Sequence, residues 1–223
     1  MENEVKRSYR SARRREQADE TRRRIIRAAH DLFVGQGYGR TTIAEVAIAS
    51  GVAVETIYAG FRNKPTLLRQ VWYATIRGDE QDIRLLDRPE IRAVLAEPDL
   101  ATRLRAHAVA LIPVFRRITP LLRALQGAST SEPAAAAMLA EFDERRLDAA
   151  GHYARAAAAT GQLSVSEQEC SDLLAAKMDG ALWYRLVGER GWSEERFAQV
   201  LGTMWVAALV RGPIDHAPLR PGR

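Results

Sequence analysis

The chain has 223 residues, 47% of them hydrophobic, a net charge of +5 and one cysteine, Cys170. That length supports a substantial core in one domain or two, and a lone cysteine excludes an internal disulfide framework and fits a reducing compartment. With no secretory h-region at the start and no apolar run of bilayer length, the sequence predicts a soluble, cytoplasmic protein.

Ala-, Leu- and Arg-rich segments with few β-branched runs predict an all-α fold. Residues 1–18 carry Lys6, Arg7, Arg10, Arg13, Arg14 and Arg15 with hardly any apolar residues, which predicts an arm disordered when free. Two roles are open to it: lying along phosphates or in a minor groove, or simply solubilising the chain. A first helix is expected over about Thr21–Gly35, with Ile25, Ala28, Ala29, Leu32 and Phe33 as its apolar stripe and Arg22, Arg23, Arg24 and Arg27 near its beginning. Gly37 ends it, and Tyr38 is placed to plug a small core.

A second helix opens at Thr42, where Thr42 and Glu45 have the spacing of a capping box and Ile43, Val46 and Ala47 form one stripe. Gly51 supplies the left-handed residue that ends it. A third short helix, Val54 to Gly60, turns Ile57 and Phe61 inward and leaves Val54, Glu55, Thr56 and Tyr58 more exposed. Two short helices joined by a tight turn are the pattern of a helix-turn-helix, whose second helix enters the major groove of DNA. The charge agrees. Residues 1–70 hold 14 basic and 8 acidic residues, a net of +6, which leaves 19 basic and 20 acidic residues, a net of −1, for the remainder. Positive charge therefore gathers where phosphates would be met.

From about Thr21 to Leu68 the sequence resembles the DNA-binding domain of the tetracycline-repressor (TetR) family of transcriptional regulators. Ala28, Ala29, Leu32, Phe33, Gly37, Thr42, Ile43, Val46, Ala47, Gly51, Val52, Thr56, Tyr58, Phe61, Lys64 and Leu67 agree in order and spacing. The resemblance implies that Thr42 both caps its helix and offers the helix N-terminus to a phosphate. It places Thr56, Tyr58 and Lys64 on phosphates as well. Ala44, Val54 and Glu55 fall at base-reading positions: alanine and valine offer only van der Waals contact, to a thymine methyl for instance, and glutamate can accept from cytosine N4. The chain departs from the family pattern at Ala53, a poor cap, and at Gly60, where a polar phosphate contact is lost.

Beyond Pro65 a long helix is expected through Leu67, Leu68, Val71, Trp72, Thr75, Ile76 and Ile83, with a short helix, IRAVLAE, between Pro89 and Pro98. The domain boundary falls inside the long helix, near Val71. From Leu100 to about Ala128, Pro113 and Pro120 are expected to kink or break the helical run and open space. His107, Leu111, Phe115, Ile118, Leu121 and Leu122 are candidates to line that space, with Met138, Phe142 and Tyr153 of the helix from Pro133 bordering it; an ordinary core is the plain alternative. The ligand-binding candidates are Trp72, His107, Leu111, Phe115, Leu122, Met138, Phe142, Met178 and Trp183. A helix from Ser166 through Val187 and another from Ser193 through Leu209, separated by Gly191, each carry apolar or small residues on a second face. The family resemblance makes these two helices the homodimer interface, a four-helix bundle with their copies.

The expected organisation is a basic arm (1–18), a three-helix helix-turn-helix domain (19–70), a larger helical ligand-binding and dimerisation domain (71–211) and a loose tail (212–223). The expected function is a homodimeric repressor on a near-palindromic operator, released by a small hydrophobic effector; an activator or a ligand-independent regulator of the same fold is the alternative. A helical-bundle enzyme is the competing class. None of the four histidines follows a glutamate by three residues, no zinc spacing surrounds Cys170, and neither a P-loop nor a nucleophile elbow is present. No enzyme activity, cofactor or metal site is predicted.

Overall fold

The computed structural model describes residues 2–78 and 85–211. It is helical throughout: α1 (Glu2–Gln36), α2 (Ile43–Ser50), α3 (Val54–Phe61), α4 (Lys64–Arg77), a 3-10 turn (Leu85–Asp87), α5 (Pro89–Ala96), α6 (Leu100–Ala128), α7 (Pro133–Ala158), α8 (Glu167–Ala175), α9 (Ala181–Trp183), a π-helical turn (Tyr184–Glu189) and α10 (Glu194–Leu209). Among the described residues no strand forms, apart from an isolated antiparallel bridge between Leu163 and Val210, and no single helix is long and apolar enough to cross a membrane. The chain divides into two compact units. One combines Met1–Gln81 with Pro120–Glu141, and the other combines Asp82–Thr119 with Phe142–Arg223.

The first unit is built on a small core of large side chains. Ile25, Ala29 and Phe33 of α1, Tyr38, Val46 and Ala47 of α2, Ile57 and Phe61 of α3, and Leu67, Leu68, Val71 and Trp72 of α4 are all buried. The i, i+4, i+8 spacing of the α1 trio puts them on one face, and burying each large apolar side chain contributes about 1.5–3 kcal/mol. Tyr38 meets Phe33 edge-on at 5.1 Å between ring centres. The segment from α7 joins this unit through Glu141, which accepts from the Tyr73 hydroxyl at 2.5 Å and pairs with Arg69 at 3.2 Å.

The second unit has a continuous core of Leu100, Leu104, Ala108, Leu111, Ile112 and Phe115 from α6, Ala150, Tyr153, Ala154 and Ala157 from α7, Cys170 and Leu174 from α8, and Phe197, Leu201, Trp205 and Leu209 from α10. One edge is fastened by polar side chains. The buried Arg103 donates to the carbonyls of Glu97 and Ala156, each at 2.7 Å. Gln162 accepts from the Leu100 N–H and donates to the Pro98 carbonyl, both at 2.9 Å.

Four expectations need correction. The arm expected to be disordered continues α1 as helix from Glu2; no glycine or proline interrupts residues 2–34, and Arg, Lys, Glu, Gln and Ala are strong helix formers. The long helix after Pro65 stops at Arg77, where Gly78 takes a left-handed conformation (φ 69°) and donates to the Ala74 carbonyl at 3.0 Å. Pro113 and Pro120 do not break α6. Both prolines are exposed, so the carbonyls they leave without an amide partner, those of Val109 and Arg116, lie toward the solvent side where water serves instead. The helix from Ser166 ends at Ala175 rather than running to Val187. Gly180 is left-handed (φ 77°), and the Asp179 carboxylate accepts from the Ala181 N–H at 2.9 Å to start a new turn. Ile83 and the tail from Gly212 lie outside the described residues.

Candidate nucleic-acid interface

The turn between α2 and α3 is fixed at both ends by local chemistry. Thr42 Oγ1 accepts from the Glu45 N–H at 3.2 Å, and the Glu45 carboxylate accepts from the Thr42 N–H at 2.7 Å, completing the capping box. The Thr42 hydroxyl also donates to that carboxylate at 2.9 Å, and the Gln36 amide adds a donor at 3.3 Å. These donors, the Thr42 N–H first and its hydroxyl second, hold the Glu45 carboxyl below the usual carboxylate range. At the other end Gly51 (φ 65°, ψ 40°) is left-handed, and the Val52 N–H returns to the Ala47 carbonyl at 3.1 Å. Ser50 is buried and donates to the Val46 carbonyl at 2.6 Å.

The α3 helix lies on this turn through two buried anchors, Ile57 and Phe61. Its N-cap, Ala53, makes no side-chain cap bond. Glu55, Thr56, Tyr58, Ala59 and Gly60 are exposed and Val54 is half-buried, so of the predicted contact residues Val54, Glu55, Thr56 and Tyr58, which share one short helix, all but Val54 are open to solvent. Tyr58 is 49% exposed, which argues against its being a core tyrosine. On α2, Thr42 and Ala44 are exposed near the N-terminus, and Ile48, one turn beyond Ala44, is 82% exposed.

Lys64 is held more tightly than a free surface lysine. Its ammonium donates to the Gly39 carbonyl at 3.4 Å and lies 4.2 Å from the Tyr38 ring centre. Burial, ahead of any charge partner, lowers its pKa. A phosphate contact therefore requires the side chain to swing away from Gly39 or to share its remaining donors.

Three features escaped sequence reasoning. Arg62 closes α3 with φ 62° and ψ −47°, and the Asn63 N–H bonds the Phe61 carbonyl at 2.7 Å, a tight γ-turn with positive φ that costs of order 1–3 kcal/mol. Its side chain is exposed beside α3, and nothing in an Arg-Asn pair signals that conformation. Arg22 proves to be a structural tie: it donates to Gln70 at 2.8 Å and its guanidinium lies 4.7 Å from the Phe61 ring centre. Arg23 and Arg27 both pair with Glu20, at 3.2 and 3.3 Å, while Arg24 stays exposed.

Residues 25–71 match the family model described as "Bacterial regulatory proteins, tetR family". Over these residues the chain is similar to the DNA-binding domain of TetR-family regulators. The HTH-type transcriptional regulator TtgR of Pseudomonas putida is 44% identical over 57 residues, 26% of this chain and 27% of that protein. The alignment thus spans about a quarter of the curated relative's length. Two solved structures extend the likeness in fold to most of the chain. A protein from Saccharomonospora viridis in complex with choline superposes with a TM-score of 0.66 at 21% identity, over 87% of this chain and all (100%) of that one. NalD of Pseudomonas aeruginosa, the secondary repressor of the MexAB-OprM multidrug efflux pump, superposes with a TM-score of 0.62 at 20% identity, over 88% and 98% of the two chains. At these identities the likeness is one of fold.

The ligand-binding candidates divide between the two units. Trp72, Leu122 and Met138 are buried in the first. In the second, Leu111 and Phe115 belong to the continuous core, Phe142 is buried, and Met178 and Trp183 are partly buried against that core. His107 is buried with its ring stacked on Tyr153 at 3.8 Å between centres and 5.2 Å from that of Trp205. Burial lowers its pKa to about 3, so it is neutral at physiological pH. The side-chain nitrogens His107 Nε2, Trp183 Nε1 and Trp205 Nε1, and Thr119 Oγ1, are buried and make no hydrogen bond within the protein.

Proposed function

We propose that the protein is a homodimeric transcriptional repressor that binds a near-palindromic operator and is released when a small, largely hydrophobic effector binds in the second unit. The observation that carries the DNA reading is the division of α3 between two buried anchors, Ile57 and Phe61, and the exposed residues Glu55, Thr56, Tyr58, Ala59 and Gly60, on a turn fixed by the Thr42–Glu45 box. Such a helix is rigid at its base and open along its reading edge, the requirement for insertion in a major groove.

Dimerisation is supported by the outer faces of α8 and α10. Leu173 is 38% and Met204 41% exposed, and Thr203, Ala207 and Ala208 lie open beside Met204. Small residues flanking exposed apolar ones suit a helix-on-helix interface related by a two-fold axis, which would also set the two reading helices about one DNA turn apart. Effector binding is supported by the unpartnered polar atoms of His107, Thr119, Trp183 and Trp205 within an aromatic and aliphatic core. Such atoms cost stability unless something satisfies them. A mostly apolar ligand with a few hydrogen-bonding groups would satisfy them. Repression is supported by the fold relative NalD, which is itself a repressor.

The test is a selection from random duplex DNA at moderate salt, with sedimentation of the selected complex. The expected result is an enriched inverted repeat bound by two chains. Retention without a shared motif would overturn the operator reading. On the selected operator, Tyr58→Phe should weaken every sequence alike, and Glu55→Ala should relax preference at one base pair per half-site. Enhanced rather than reduced transcription from a reporter carrying that operator would reverse the sign of regulation.

A further inference from the structure

The turn between α6 and α7 brings a carboxylate to the edge of the candidate interface. Glu132, the residue before α7, is held through its backbone on both sides. Its N–H donates to the Ala128 carbonyl at 2.9 Å, and its own carbonyl accepts from the Ala135 and Ala136 N–H groups at 2.9 and 3.2 Å. Its half-buried side chain lies against Gly39, between α1 and α2, where an added Cβ would meet Glu132 Oε1 at 3.3 Å and Cγ at 3.4 Å. The Gly39 carbonyl is also the one that the Lys64 ammonium donates to at 3.4 Å, so carboxylate and ammonium converge on one residue. The Tyr38 ring centre lies 4.2 Å from the same ammonium. All four residues belong to the first unit.

The position of Lys64 explains its need for an anion. It is the first residue of α4, whose first turn holds no acidic residue, and the positive end of a helix dipole disfavours a cation. Burial lowers the Lys64 pKa, and two carboxylates, Glu132 first and Glu45 second, act against that shift. Glu132 also bears on Tyr38, whose hydroxyl is pushed up to about 12 by burial first and by this carboxylate second. An ammonium has three donors, and Gly39 takes one of them.

We propose that Glu132 is a positioning residue for DNA binding: its carboxylate stands in for a phosphate and holds Lys64 folded back on Gly39 and Tyr38 until DNA takes its place. The proposal rests on the DNA reading of this domain and on a phosphate contact by Lys64. A phosphodiester that draws Lys64 outward gives up the attraction to Glu132 and is repelled by that same carboxylate. Glu132 therefore weakens DNA binding through Lys64, and it does so alike for every sequence, since phosphates carry no base identity. The carboxylate belongs to the α6–α7 turn and not to the helix-turn-helix, so DNA affinity is set in part from outside the element that reads the bases.

The experiment is a double-mutant cycle on operator affinity in the full chain, repeated across a salt series. Glu132→Gln should bind about three- to tenfold more tightly at low salt, for operator and random duplex alike. Its log–log salt slope should steepen by up to about 0.9, the value of one phosphate contact. Lys64→Ala should weaken binding, and in that background Glu132→Gln should gain less than about twofold. Asp31→Asn, the same charge change at an exposed α1 carboxylate beside His30, should alter affinity less than about twofold in either background. Thermal midpoints well above the assay temperature separate these effects from folding. A Glu132→Gln variant with unchanged affinity and slope overturns the proposal, as does a Lys64→Ala variant that binds as tightly as the unmodified protein. So does a gain that persists without Lys64 or that Asp31→Asn matches, because Glu132 would then be one charge in the general field. A gain confined to the operator would assign Glu132 to base reading and overturns it too. If the unmodified protein binds no duplex, the DNA reading falls and this proposal with it. If it binds and the cycle shows no coupling, only the role of Glu132 falls.

Discussion

The α2–α3 turn and the α8–α10 region are both helix-rich segments of similar purpose-built appearance, yet their shapes have different origins. Around α2 every boundary is set within five residues: Thr42 and Glu45 open the helix, and Gly51 closes it with bonds to Ala47 and Ile48. Around α9 the boundary is set from across the fold. Gly180 adopts its left-handed conformation against α6, where a Cβ would approach Thr119 Oγ1 to 2.8 Å. The chain then passes through a π-helical turn before Ser193 caps α10. Local signals make rigid, readable elements; long-range contacts make breaks that no window of sequence announces.

Breaking the long-range side should have the largest effect. Gly180→Ala combines a left-handed alanine, about 1–2 kcal/mol, with overpacking against Thr119, about 1–3 kcal/mol, so chemical denaturation should register a loss of about 3 kcal/mol. A loss below 0.5 kcal/mol would mean that the break is not imposed by α6. His107 tests the same region by pH. Its folded-state pKa is about 3, against about 6.5 unfolded, so below pH 6.5 the unfolded chain takes up a proton that the folded chain refuses. Stability should therefore fall with decreasing pH between about 6.5 and 3, by about 1.4 kcal/mol per unit from this residue. At pH 5 that amounts to about 2 kcal/mol, and His107→Phe should remove this component of the slope; an identical pH profile in the variant would show that His107 titrates normally.

The local side should respond more gently. Thr42→Ala removes the cap and should cost about 1 kcal/mol, read as a lowered thermal midpoint, with weaker operator binding if the helix N-terminus meets phosphate. Ala53→Ser supplies the cap that α3 lacks and should add about 0.5 kcal/mol. A destabilised Ala53→Ser would show that the bare cap accommodates something a hydroxyl disturbs.

This contrast explains what could be read in advance. The capping box, the Gly51 turn, the inward Ile57 and Phe61, and the Ser166 and Ser193 caps follow from residue type and spacing, and the structure has each of them. Gly78 as a helix stop was legible in principle, since glycine after Arg77 is the usual C-terminal signal, but the apolar positions beyond it suggested continuation. The passage of α6 through Pro113 and Pro120 was not legible, because it depends on both rings facing solvent while Ile112, Phe115, Ile118 and Leu121 are buried. Within the candidate DNA interface, the outward-facing positions Glu55, Thr56 and Tyr58 followed from periodicity. The engagement of Lys64 by Gly39 and Tyr38 did not, because residues 25 and 26 positions away fold back on it.

Glu45 carries a consequence of its own. Its carboxylate occupies the Thr42 N–H and hydroxyl, two of the groups at the end of α2 that an incoming phosphate would use. The domain therefore carries its own anion at that end, and under the proposed function a DNA phosphate arriving there would displace it or share with it. Arrival of a phosphate there becomes an exchange of one anion for another rather than the filling of a bare site.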